Sequence, residues 1–494
     1  MRAALGLVIA LTTNASDADR TGARLLKYVS TRGEAPVLGF EDTMLAGLAR
    51  DGGLYVPAVL PNLDVDAFDG LTYAQAAFEV MAPFVGGEIP DPDFRKVLAD
   101  AYATFAHPAV CPLVQIGAND WVLELFHGPT LAFKDVAMQV LGRLMDRTLI
   151  KRGARATVIG ATSGDTGSAA IEAFKGRDAI DIFILHPHGR TSDVQRKQMT
   201  TATEANVHNI AIEGTFDDCQ ALVKALFNDH AVRDRLQLAG VNSINWVRIM
   251  AQATYYLTAA SSLGVADNRR VSFAVPTGNF GDVFAGNVAA MMGLPLAQLI
   301  VATNSNDILA RAFNTGVYEP RQTMQTQSPS MDIQVSSNFE RLLYYIVHCR
   351  PEKVRAAMDE FKSAGRFRFD PSVVTSHIEN VRFEADAIDE ATTTATIADL
   401  YKATGYLADP HTAVGIAAAR RSAKRHPTQP MVCLATAHPA KFPDAVAHAI
   451  GRKPEVPERL ARVLEAKERF AVLPNDYTAL VGHIGGRARI AGAA

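Results

Sequence analysis

The chain has 494 residues, 48% of them hydrophobic and 20% charged, with a formal net charge of −3. That length exceeds one simple core and predicts two or three domains of a soluble globular protein. The near balance of charge excludes a strongly basic nucleic-acid face or a polybasic membrane patch, so any anion site must be local. Cys111, Cys219, Cys349 and Cys433 are scattered and form no C-x-x-C pair. They point to thiols in a reducing compartment, the cytoplasm, and away from a disulfide frame or a zinc site.

Residues 1–26 are expected to be an N-terminal extension without fixed structure. An apolar run from Ala3 to Leu11 behind Arg2 looks like the core of a secretion signal, but reads more simply as an appended tail. It is far too short to span a bilayer. Residues 71–105 carry Phe78, Met81, Phe84, Leu98, Tyr102 and Phe105 at helical spacing, so 27–105 is expected to be a mainly helical N-terminal domain. Beyond it, β-rich runs at 157–160, 180–185, 207–212, 271–275 and 299–303 alternate with helical stretches. Such alternation predicts parallel sheets wrapped by helices, with ligands outside the carboxyl ends of the strands.

Four segments carry chemistry. The first is Phe126-His127-Gly128-Pro129-Thr130-Leu131-Ala132-Phe133-Lys134-Asp135, where a lysine follows a Gly-Pro turn and opens a helix over 135–151. A cation is disfavoured at a helix N-terminus, which favours the neutral amine that attacks aldehydes. The second is the loop holding Thr162, Ser163, Gly164, Asp165, Thr166 and Gly167, between a strand and a helix. Its glycines and hydroxyls suit a carboxylate or phosphate. The third, Pro276-Thr277-Gly278-Asn279-Phe280-Gly281-Asp282, is another anion cradle after a strand. Neither loop has dinucleotide spacing, so a phosphorylated cofactor and an anionic substrate together fit the count. The fourth is the strand end at Thr436, His438 and Lys441. His186 and His188 lack a third ligand at useful spacing, and no metal is expected.

Together these segments resemble threonine synthase of the bacterial and yeast type, in the fold type II family of pyridoxal-phosphate enzymes. The likeness rests also on Tyr28-Val29-Ser30-Thr31-Arg32-Gly33, Asn242-Ser243-Ile244-Asn245-Trp246-Val247-Arg248, Ser330-Met331-Asp332-Ile333-Gln334-Val335 and Asp409-Pro410-His411-Thr412-Ala413-Val414-Gly415. It covers 27 to about 485, leaving out the N-terminal extension.

The resemblance implies an α/β pyridoxal 5'-phosphate region over 106–494, built of two subdomains. In it Lys134 carries the cofactor and is the catalytic base. Gly278, Asn279, Phe280 and Gly281 hold the cofactor phosphate, and Thr436 sits by the pyridine nitrogen. The substrate carboxylate falls to Thr162, Ser163, Gly164, Asp165 and Thr166. Asp165 stands where many relatives have asparagine. For the substrate phosphate the candidates are Arg248 and Lys441, with Asn245 and Ser163 as neutral helpers. The implied reaction turns O-phospho-L-homoserine and water into L-threonine and phosphate by γ-elimination and β-addition of water. The alternative is a related phospho-lyase that yields 2-oxobutyrate, ammonia and phosphate. A dehydratase, a cysteine synthase or a non-catalytic binding protein of the same fold fits the motifs less well. Borohydride reduction followed by peptide mapping should place the cofactor label on Lys134, and a label elsewhere would refute the assignment.

Overall fold

The computed structural model describes residues 25–162, 164–240, 243–265, 269–378, 381–422 and 428–490. The extension expected over 1–26 thus lies almost wholly outside the described residues. Among those residues the strands are β1 (Tyr28–Ser30), β2 (Tyr55–Pro57), β3 (Leu113–Gln115), β4 (Asp120–Glu124), β5 (Ala156–Ala161), β6 (Ile180–Pro187), β7 (Val207–Glu213) and β8 (Leu238–Gly240). They continue with β9 (Val271–Pro276), β10 (Leu296–Thr303), β11 (Val317–Tyr318), β12 (Phe367–Arg368), β13 (Arg382–Ala387), β14 (Met431–Ala435) and β15 (Ala471–Pro474).

Two sheets dominate. A six-stranded sheet runs β13-β10-β9-β14-β4-β3, and a five-stranded sheet runs β15-β7-β6-β5-β8. β6, β9 and β14 are buried along their whole length, as strands covered by helices on both faces must be. The five-stranded sheet is parallel throughout. The larger sheet departs from the expectation at one edge, where β3 runs antiparallel to β4. A tight connection from 116 to 119 can reverse the chain but cannot carry a parallel crossover.

The helix Lys134–Lys151 joins the two sheets, leaving β4 of the larger and leading to β5 of the smaller. It packs against the helices Asp91–Tyr102, Asp165–Phe174 and Trp246–Ser262. Its only glycine, Gly142, sits so close to the next helix that a Cβ there would come within 2.5 Å of Ala173 O.

The N-terminal segment is mainly helical, as expected, with one short strand pair. β1 and β2 pair antiparallel, and the helical stretch from 71 resolves into Tyr73–Val85 and Asp91–Tyr102. Gly86 ends the first of these in a left-handed conformation with φ 61°, the usual termination by glycine. This segment shares one continuous core with the rest of the chain. Tyr28 and Phe84 both set their rings edge-on to Trp246 at the start of the helix Trp246–Ser262. Arg341 is fully buried beneath them, donating to the carbonyls of Tyr55 and Ile244. Among the described residues no helix is long and apolar enough to cross a membrane.

Gly142→Ala should destabilise the fold by about 1–3 kcal/mol, because the helix pair cannot separate without breaking its packing. A denaturant midpoint equal to wild type would show that the contact relaxes freely.

Candidate active site

The site grows from the turn that follows β4. The Asp135 carboxylate, fully buried, accepts from Thr130 N at 2.7 Å and from Thr130 Oγ1 at 2.8 Å. Burial still pushes Asp135 up to about 6, against the pull of those two bonds. Phe133 N donates to Thr436 O at 2.9 Å, and Ala132 bridges Ala437. The lysine segment is therefore sewn to the end of β14, with Phe133, next to Lys134 in the chain, bonded to Thr436. Lys134 is the first residue of its helix and only 8% exposed.

Around Lys134 the charges are few and close. Asp165 Oδ2 lies 3.8 Å from Lys134 Nζ, while Asp165 Oδ1 accepts from Lys441 Nζ at 2.8 Å. Burial brings Lys134 down to about 8; Asp165 opposes that, and Lys441 and Arg248 reinforce it. An amine with that midpoint keeps a substantial neutral fraction near pH 7 to 8, as carbonyl capture requires. Asp165 shows the converse. Burial alone would raise its carboxyl, but Lys441 and Lys134 outweigh burial and hold it well below the usual carboxylate range.

The loop after β5 is shaped by Thr162, whose Oγ1 accepts from Gly164 N at 3.0 Å and from Gly167 N at 3.1 Å. Asp165 opens the helix Asp165–Phe174, with Thr166 half-buried in its first turn. Ser163, the remaining residue assigned to this loop, lies outside the described residues. The loop after β9 is held from one side. Gly278 O accepts from Ser336 Oγ at 2.8 Å, and Asn279 O accepts from Asn338 Nδ2 at 3.1 Å. Phe280 takes a left-handed φ of 63°, after which the helix Gly281–Met291 begins. A Cβ on Gly278 would lie 3.0 Å from both Ile333 Cδ1 and Ser330 O, so a side chain there would crowd the loop wall. First-turn N–H groups have no acceptor within the helix, and the helix dipole favours an anion in front of them. This arrangement fits a cofactor phosphate.

Arg248 is buried, only 4% exposed, and its Nε has no protein acceptor. It is not the surface arginine that its place in a first helical turn would allow. Burial lowers it to about 10, against the fields of Tyr255 and Asp282. Asn245 has a different job. Its Oδ1 caps Val247 N at 3.1 Å and its Nδ2 donates to Met44 O at 2.8 Å. It therefore anchors the helix Trp246–Ser262 to the N-terminal segment. Lys441 also donates to Thr130 O at 2.8 Å, besides its bond to Asp165.

Several further residues of the site were given no role from the sequence. Gln195 Nε2 reaches Asp165 Oδ1 at 3.3 Å. Ser330 Oγ donates to Asp165 Oδ2 at 3.2 Å, and Ser330 N donates to His411 Nε2 at 3.2 Å. Asp282 takes the hydroxyls of Tyr255 and Tyr256, and burial lifts it to about 6. The strings containing Ser330 and His411 are part of the resemblance, which was the one available pointer to them.

Comparison with known proteins places this geometry. Residues 112–437 match the family model for pyridoxal-phosphate dependent enzymes, 27–102 that for the threonine synthase N terminus, and 412–484 that for the threonine synthase C-terminal region. A threonine synthase of Pseudomonas aeruginosa is 54% identical over 455 residues, covering 91% of this chain and 96% of the relative. The crystal structure of pyridoxal-phosphate-bound threonine synthase from Brucella melitensis superposes with a TM-score of 0.91 at 56% identity, over 94% of this chain and all of that one. The yeast threonine synthase structure gives 0.88 at 38% identity, over 93% of this chain and 98% of the other.

Asp165→Asn should move the Lys134 amine midpoint below about 8, since the carboxylate is the partner that raises it. The pH dependence of acylation at Lys134 in protein freed of bound carbonyl compounds measures this. An unchanged midpoint would remove the pair from the account.

Proposed function

We propose, on the premise that the chain belongs to the threonine synthase family of pyridoxal-phosphate enzymes, that its buried residues divide the conversion of O-phospho-L-homoserine and water into L-threonine and phosphate as follows. The observation that carries this reading is the buried Lys134 amine, lowered to about 8 and framed by two loops suited to anions.

Lys134 would hold pyridoxal phosphate, with the 278–281 loop at its phosphate and the Thr436 hydroxyl at its ring nitrogen. When bound, that group supplies an electron sink for charge developing on the substrate carbons. The 162–166 loop takes the substrate carboxylate on its first-turn N–H groups and hydroxyls. The Lys134 amine, freed when the substrate amine takes its place, removes one proton from the substrate Cα and one from Cβ, where proximity matters as much as basicity. Arg248 receives the phosphate that leaves Cγ, because its guanidinium is charged, buried and has Nε free of protein acceptors. Lys441 has its charge matched by Asp165 and steadies that carboxylate. The proton taken from Cβ goes to Cγ to complete the methyl group, water adds its hydroxyl at Cβ and leaves its other proton to the released phosphate, and Lys134 returns a proton at Cα. The helices around the site exclude bulk water, which protects the unsaturated intermediate from loss to solvent. The four cysteines are all free, which supports the cytoplasm as the place of work. A division into 27–105 and 106–494 puts the anion loops and Lys134 in one region.

Incubation with O-phospho-L-homoserine should release threonine and phosphate in equal amounts; 2-oxobutyrate and ammonia in place of threonine would overturn the reading. Arg248→Ala should raise KM for phosphohomoserine by about 10- to 100-fold, as expected for losing a charge-assisted contact. Unchanged steady-state affinity would take Arg248 off the substrate phosphate.

A further inference from the structure

His411 lies outside the roles given above, yet it connects to them by an unbroken set of hydrogen bonds. Asp409 caps the helix Pro410–Arg421, and both residues are buried. Asp409 Oδ1 stands 2.8 Å from His411 Nδ1, while Asp409 Oδ2 takes the Thr412 hydroxyl. A carboxylate can only accept, so the imidazole proton sits on Nδ1 and Nε2 is left as an acceptor. That acceptor receives Ser330 N at 3.2 Å. Ser330 Oγ in turn donates to Asp165 Oδ2, the oxygen that faces Lys134 Nζ at 3.8 Å. The carbonyl of the same serine stands 3.0 Å from the point where Gly278 would carry a Cβ. One residue thus touches the carboxylate beside the lysine and the wall of the phosphate loop.

We propose that His411 is a positioning residue which, through Ser330, fixes the Asp165 carboxylate beside Lys134. The chain of contacts crosses between the two lobes. His411 and Ser330 come from segments packed on the six-stranded sheet, whereas Asp165 follows β5 of the five-stranded sheet. Donation from Ser330 Oγ withdraws charge from the oxygen facing the lysine nitrogen. Its loss leaves that oxygen more negative and favours the protonated form of the nitrogen. Lys134 is also faced by Lys441, Arg248, Asp135 and Asp282, and none of these bonds to Ser330 or His411.

The inference rests on Lys134 as the cofactor lysine, and its test uses the holoenzyme. The pH midpoint of the bound cofactor's absorbance should rise by about half a unit in Ser330→Ala, with kcat down about 10-fold and KM little changed. His411→Ala should reproduce that shift, the double variant should add nothing to it, and His411→Gln, which keeps an acceptor for Ser330 N, should restore most of it. If His411→Ala does not fold, Ser330→Ala and His411→Gln decide. A wild-type midpoint in Ser330→Ala, or additive shifts in the double variant, overturns the proposal. Wild-type protein with no cofactor absorbance would instead overturn the assignment of Lys134, and this proposal with it.

Discussion

One carboxylate shared by two buried amines organises this molecule. Desolvating a charge costs several kcal/mol unless partners compensate, and Asp165 compensates Lys441 fully and Lys134 in part. The inequality is useful. Lys441 is at hydrogen-bond distance from the carboxylate, while Lys134, farther off, stays close to losing its proton. With Arg248 added, three cationic side chains face Asp165 and two carboxyls, Asp135 and Asp282, that burial makes reluctant to ionise. Such a pocket draws anions, and both the cofactor and the substrate of this family are anionic.

The same triad ties the architecture together. Lys134 opens the helix linking the two sheets, Asp165 follows a strand of the smaller sheet, and Lys441 follows β14 of the larger. Any movement of one lobe against the other changes the distances within the triad. Catalytic readiness and lobe alignment are thus one geometric variable.

Much of this was legible in the residues. The parallel strands at 180–185 and 271–275 announced themselves as mostly apolar runs, because buried strands in such sheets carry no strict alternation. The lysine string, both glycine loops and Thr436 were legible as strand-end chemistry. Short elements were not. β1, β2 and β8 have three residues each, too few for a periodic signal. Asp165 looked like one more loop residue with an uncertain contact, since its ion pairs lie with residues 31 positions before and far after it in the chain. Asn245 looked like a site amide and turned out to be a helix cap, a role that its string shares with many turns. His411 stands in the first turn of a helix, and only the fold reveals what its second nitrogen meets.

The far edge of the five-stranded sheet has a consequence for how the protein is made. β15 pairs with β7 across more than half the chain, and Arg489 gives Asp181, a carboxylate buried on β6, its close partner beside the more distant Arg155. A nascent chain must therefore hold β7 with an open edge, and Asp181 with Arg155 alone, until the ribosome has almost finished. During that interval the incomplete sheet is a surface on which chaperones can act, and on which copies emerging side by side can wrongly pair.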